Sequence, residues 1–154
     1  MWKGSVHSIY IAAEATGAPQ AVSEARAVMG KGLEGDRYCD GKGTFSAEPG
    51  AGRQITLIES ESLEAIGRES SIVLAPGSSR RNVVTRGVPL NHLVGRNFRV
   101  GQAVLTGIRL CEPCKHLEGL TQPGVIAALH HRGGLRADIL QEGIIRVGDS
   151  VEEA

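Results

Sequence analysis

Glycine punctuates this chain too often for long helices. Twenty-one of its 154 residues are glycine, and aromatic residues make up only 3%. The stretches between glycines are short, several alternate polar with apolar residues, and few hold a helical period. That pattern calls for strands joined by tight turns, with small helices between them. The length suits a single domain, residues 1–154, large enough for a core without covalent staples. The expected fold class is mainly β: a small, mostly antiparallel β-barrel of roughly seven to nine short strands, with roughly two or three short peripheral helices.

Charge narrows the partners. Seventeen basic residues meet 17 acidic ones, a formal net charge of zero, whereas a nucleic-acid binder carries a basic excess. Nucleic acid is therefore not expected as a partner, although a local basic pocket for one small anion is compatible with overall balance. Three cysteines without a signal-like start fit a reducing cytoplasm better than a disulfide framework. No apolar run approaches the roughly 20 residues of a membrane span, so no membrane is expected either.

Along the chain, residues 6–13 read as a strand with Val6, Ser8 and Tyr10 on one face and His7, Ile9 and Ile11 on the other. Residues 14–21 read as a loop and Glu24–Met29 as a short strand. The run Gly30–Arg37 is a glycine-dense turn or a ligand-contacting loop. Arg53–Ile58 is a strand, after which Ser60 caps a helix that Gly67 ends or nearly ends. Val83–Thr85 is a strand, and Pro89–Val94 a helical turn. Phe98–Val104 and Ile145–Val151 share the pattern Arg-Val-Gly-x-x-Val, which predicts two similar tight corners. Val104, Thr106, Ile108 and Leu110 alternate through a long strand, residues 103–111. Thr121 caps a helix over residues 123–131, and Leu135–Leu140 and Ile144–Val147 are the last strands.

Chemistry concentrates where the long strand ends, at Cys111-Glu112-Pro113-Cys114-Lys115-His116. The thiolate is the nucleophile and the soft ligand, and neighbouring cations favour it. Three readings stand for the C-x-x-C pair. It is half of a Cys2His2 zinc site completed by two of His116, His130 and His131, or a pair of thiols without a role. In the third, Cys114 is one reactive cysteine that ligates a soft metal or carries sulfur as a persulfide. Arg80-Arg81-Asn82, at a loop-to-strand junction, suits bidentate capture of a phosphate, or is a solvated basic corner. His130-His131-Arg132 either complements a helix terminus or binds an anion. Cys39 reads as an incidental thiol.

Taken in order, several segments resemble the MOSC domain, the type of domain found at the C-terminus of molybdenum cofactor sulfurases. They are Gly32-Leu33-Glu34-Gly35-Asp36-Arg37, Arg53–Glu59, Arg81–Gly87, Leu93-Val94-Gly95, Leu110–Cys114, His131–Ala137 and Ile145–Asp149. The resemblance runs from about residue 4 to residue 151. It implies a β-barrel and a link to the molybdenum cofactor, a pterin dithiolene with a terminal phosphate. It also implies a cysteine that accepts sulfur or coordinates molybdenum. Cys114 matches best and Cys111 second, so both are expected catalytic residues and Cys114 the metal ligand.

In the related amidoxime-reducing proteins an Arg-x-Asn segment lies near the cofactor phosphate, a spacing that Arg80 and Asn82 reproduce. Arg81, Arg53, Lys115, His131 and Arg132 complete the expected cofactor-binding set. Those proteins differ in carrying an additional N-terminal region, and they place the ligating cysteine where this chain has His131-Arg132-Gly133. These 154 residues contain no pyridoxal-phosphate desulfurase domain, so a persulfide donor is an expected partner. The expectation is a protein that binds the molybdenum cofactor, carries sulfur for it, or both. The alternatives are a molybdenum-dependent reductase of N-hydroxylated compounds fed by an electron-transfer protein, and a zinc-binding or cofactor-storage module without catalysis.

Overall fold

The computed structural model describes residues 1–44, 46 and 51–154. Eleven strands and three helices follow one another among them: β1 (Lys3–Ile11), β2 (Gln20–Val22), β3 (Glu24–Val28), β4 (Gly32–Leu33), β5 (Ile55–Glu59), α1 (Ser60–Ser70), β6 (Val83–Arg86), β7 (Asn97–Val100), β8 (Ala103–Leu110), α2 (Lys115–Leu120), α3 (Val125–Ala128), β9 (Leu135–Gln141), β10 (Gly143–Arg146) and β11 (Ser150–Glu153). Short 3-10 turns occupy Pro76–Ser79 and Leu90–Leu93. None of the described helices is long and apolar enough to cross a membrane.

Seven strands close a barrel in the order β1-β11-β7-β8-β9-β5-β6, with β6 returning to β1. Closure pairs Lys3 with Glu152 and Ser5 with Ser150. The barrel is mixed, because β5 and β6 run parallel while its other pairs are antiparallel. β2 extends the sheet beside β1, and β10, β3 and β4 form a separate small sheet. The mainly β barrel expected from the glycine pattern is thus present. The strand count exceeds the expectation, because β2 and β4 span three and two residues, too few to show alternation.

The parallel pair is buried on both faces, as parallel strands usually are. Leu57 and Val83 join Val6, Ile9, Phe98, Leu105, Leu135 and Val151 in the barrel core. Ile58 and Val84 point the other way, into a second cluster with Leu63 and Ile66 of α1, Leu117 of α2, Val125 of α3 and Leu129. Each large apolar side chain so buried contributes about 1.5–3 kcal/mol. This outer cluster fixes α2 and α3 against the barrel wall, and with them the chain on either side of both helices.

Three local readings change. The alternation assigned to β1 fails because the register slips between Val6 and Ser8. The bulge at His7 turns both Val6 and Ile9 inward. Ser60 is the first residue of α1 rather than its cap, since Glu59 occupies the cap position. The Ser60 hydroxyl instead accepts from Arg86 Nη1 at 3.1 Å. Gly67 falls in the last turn of α1, near its end as expected, and Ser71 caps the helix at φ 55°. Thr121 ends α2 rather than starting a long helix, its hydroxyl donating to the Leu117 carbonyl at 2.7 Å. α3 is only four residues long, opened by Gly124 at φ 95°, and its Ile126 N–H donates to Glu118 of α2 at 2.9 Å.

Gly134 shows what the tight barrel demands. Its φ is +113°, and a Cβ there would lie 2.0 Å from the Leu57 carbonyl oxygen. Gly134→Ala is expected to destabilise the fold by about 2–4 kcal/mol. Gly148 has a similar φ of +91° but open space around it, so Gly148→Ala should cost only about 1 kcal/mol. Urea unfolding of the two variants checks the difference.

Candidate active-site cleft

β8 delivers the cysteine segment to the barrel wall. The Cys111 N–H donates to the Gly134 carbonyl at 2.8 Å, and its side chain is buried. Gly133 faces it so closely that a Cβ would meet the Cys111 carbonyl at 2.5 Å. β8 has ended at Leu110, and Pro113 lies between it and α2. Cys114 is exposed and occupies the cap position of α2.

Arg81 is the buried brace of this region. Its Nε donates to Gly133 O at 2.8 Å, Nη2 to Cys111 O at 3.0 Å and Nη1 to Ser79 O at 3.3 Å. Arg80 turns the opposite way through a left-handed backbone, φ 61°. It donates to the Gly17 and Ala15 carbonyls at 2.7 and 3.1 Å. Asn82 joins β1 to β5: Nδ2 donates to Tyr10 O at 3.2 Å, and Oδ1 accepts from the Thr56 N–H at 3.1 Å. Much of the hydrogen-bonding capacity of Arg80-Arg81-Asn82 is therefore spent on holding chain segments together.

The loop after β4 adds a second guanidinium from the opposite side. Asp36, fully buried, accepts from the Ala12 N–H at 3.0 Å and the Tyr38 N–H at 3.3 Å. It pairs with Arg37 at 3.2 Å, and Arg37 lies over the Tyr38 ring at 4.9 Å. Arg37 is only 8% exposed, and its buried Nε has no hydrogen-bond partner among the described residues.

These elements enclose one cleft, lined by Arg37, Tyr38, Thr56, Arg80, Arg81, Asn82, Cys111, Glu112, Cys114, His116 and Arg136. Its atom-free space is about 550 Å³ counted to the open mouth. Burial and the nearby charge of Arg37 both push the Arg80 pKa down, so the cleft concentrates positive charge that an anion would relieve.

The structure thus brings Arg80, Arg81, Asn82, Cys111 and Cys114 to one place and leaves the other expected residues outside. Arg53 lines a separate depression with Lys31 and Cys39. Burial and Asp40 push the Cys39 thiol up. Lys115 is exposed on α2 and does not line the cleft. Arg132 pairs with Glu69, whose carboxyl it holds below the usual range, and His131 pairs with Glu112 at 2.9 Å. Among the described residues, no metal-ligating cluster of three groups includes either cysteine, so the Cys2His2 set is not assembled. Arg37 and Arg136 are the cleft cations not singled out individually from sequence, although both stand in segments that carry the family resemblance.

Arg81→Met is expected to lower stability by about 2–4 kcal/mol, because three buried carbonyls lose their donor. Urea unfolding measures the loss. At the end of β5, burial and then the charge of Glu61 push the Glu59 pKa up. A raised carboxyl pKa means that ionised Glu59 opposes folding above its ordinary value of about 4.3. Glu59→Gln should therefore be more stable than the native protein at neutral pH. The advantage should fade as pH falls below that value, as thermal melts across a pH series would report.

The MOSC domain family model matches residues 40–152. Among solved structures, the YuaD protein of Bacillus subtilis superposes with a TM-score of 0.81 at 19% identity, covering 99% of this chain and 97% of that one. YiiM of Geobacillus stearothermophilus gives 0.75 at 16% identity, covering 98% and 75%. YiiM of Escherichia coli gives 0.68 at 18%, covering 100% and 70%. At such identities these likenesses establish the fold alone. No curated protein sequence matches closely enough to count as a relative. On the family match over most of its length, this chain belongs to the MOSC domain family.

Proposed function

We propose that this protein holds the molybdenum cofactor, or sulfur destined for it, in the cleft between Arg37, Arg80 and Cys114. One observation carries the reading: an exposed thiol opens on the same cleft as three guanidiniums besides the Arg81 brace. One of the three, Arg37, is buried with an unpartnered Nε. Membership of the MOSC family, associated with that cofactor, supports it.

The donor set suits the group. A pterin with a terminal phosphate needs planar cationic donors, and a sulfur-bound molybdenum accepts a soft thiolate. When bound, the cofactor supplies a metal centre open to a thiolate ligand or to transferred sulfur. Arg37, Arg80 and Arg136 would neutralise the phosphate. Arg81 and Asn82, already engaged with backbone and Thr56, would fix the cleft walls. Cys114 would present its thiolate at the mouth, and Cys111 would remain buried behind it.

As a carrier, Cys114 thiolate would attack the terminal sulfur of a donor persulfide. A sulfur–sulfur bond forms at Cys114 as the donor's breaks, and the donor leaves as a thiolate. The exchange requires no outside oxidant or reductant.

The test is elemental analysis and intact-mass measurement of protein purified from a host that makes the cofactor. The native protein and Cys39→Ser should contain near-stoichiometric molybdenum or one reductant-labile extra sulfur, and Cys114→Ser should contain neither. A Cys114→Ser protein that retains as much of either as the native one would overturn the reading. So would a native protein that holds neither.

A further inference from the structure

We propose that Glu112, His130 and His131 form a binding site for one divalent transition-metal ion of the zinc type, on the outer side of the cleft rim. One ligand atom from each of the three lies within 4.8 Å of the others. The ligand atoms of an ion bound at about 2.0–2.2 Å lie roughly 3–4 Å apart, so a small rotation of one exposed ring closes the set. His131 Nδ1 already stands 2.9 Å from Glu112 Oε2. The two imidazoles lie with ring centroids 3.7 Å apart.

The scaffold beneath these side chains is fixed. Glu112 follows β8, and the histidines lie beyond α3. The two segments are locked together by Cys111 N–H to Gly134 O at 2.8 Å and by Arg81 bridging the Cys111 and Gly133 carbonyls. The His131 backbone is pinned at both ends, its N–H donating to Glu112 at 2.8 Å and its carbonyl accepting from Asn91 at 2.6 Å.

The protein's own contacts leave this group under-used. The His130 side chain has no hydrogen-bond partner among the described residues, and its ring lies against that of His131. The His131–Glu112 pair is exposed, 68% and 39%, and such pairs contribute little alone. Two imidazole nitrogens and a carboxylate oxygen are a donor set for zinc, cobalt or nickel. No thiol belongs to this set, so the inference does not depend on the proposed cofactor role.

The test is titration of chelator-treated full-length protein with Zn2+ by calorimetry and with Co2+ by absorption. One saturable equivalent is expected, with cobalt bands free of thiolate charge transfer. His130→Ala and Glu112→Gln should each weaken binding by roughly tenfold or more, while His7→Ala, another exposed histidine, should bind as the native protein does. Circular dichroism checks that the variants are folded. The proposal is overturned if no saturable binding occurs, if a thiolate band shows that the ion sits on Cys111 or Cys114, or if both site variants bind as tightly as the native protein.

Discussion

Three carbonyls that belong to no strand ladder converge on Arg81, and the cleft exists because they do. Ser79, Cys111 and Gly133 lie far apart in sequence, at a 3-10 turn, at the end of β8 and in the turn before β9. One buried guanidinium supplies the donors that all three would otherwise lack. A lysine offers no planar fork and would not satisfy the three from one point. The same contact ties the end of β8 to the turn before β9, with Cys111 under the surface and Cys114 exposed at the start of α2. Arg81, one of several side chains expected to bind an anion, therefore serves as the frame of the cleft wall.

The opposite wall of the cleft is also held in place. Arg37 is fixed by a buried carboxylate that is itself satisfied by two backbone N–H groups. Burying such a pair is expensive unless its hydrogen bonds are complete, and the Arg37 Nε is not satisfied. An orphaned buried donor costs about 1–3 kcal/mol. An anion in the cleft would recover that cost on arrival, without ordering a flexible side chain first.

The barrel was legible wherever period two was long and unbroken. Residues 103–111 alternate cleanly and form β8, and the glycine corners fall where the repeated Arg-Val-Gly pattern put them. β1 was misread in phase, since one bulged residue reverses every later side chain and leaves no mark in composition. α2 escaped notice because six residues are too few for a helical period, and the Thr121 hydroxyl that looked like a beginning is an end. Sequence chemistry singled out both Cys114 and Arg80, which line the same cleft. It did not separate Arg81 the brace from an anion-binding arginine, because the two uses require the same guanidinium and differ only in which oxygens face it. Arg37 and Arg136 were obscured for a related reason: each is one cation among many until the fold turns it inward.

The pairing of β1 with β11 has a consequence in time. The strand that opens the chain finds one of its barrel neighbours about 147 residues later, at Ser150–Glu152. During synthesis the seam stays open until those residues leave the ribosome, and β1 meanwhile exposes an unpaired edge. β6 pairs with the opposite edge, where Ser5 and Val6 face Arg86 and Thr85, and so leaves this one open. The short β2, folded back onto Ile9–Ile11, covers part of β1 from the start. A hairpin too small to add much to the finished core is therefore well placed to guard the growing chain against pairing with its neighbours.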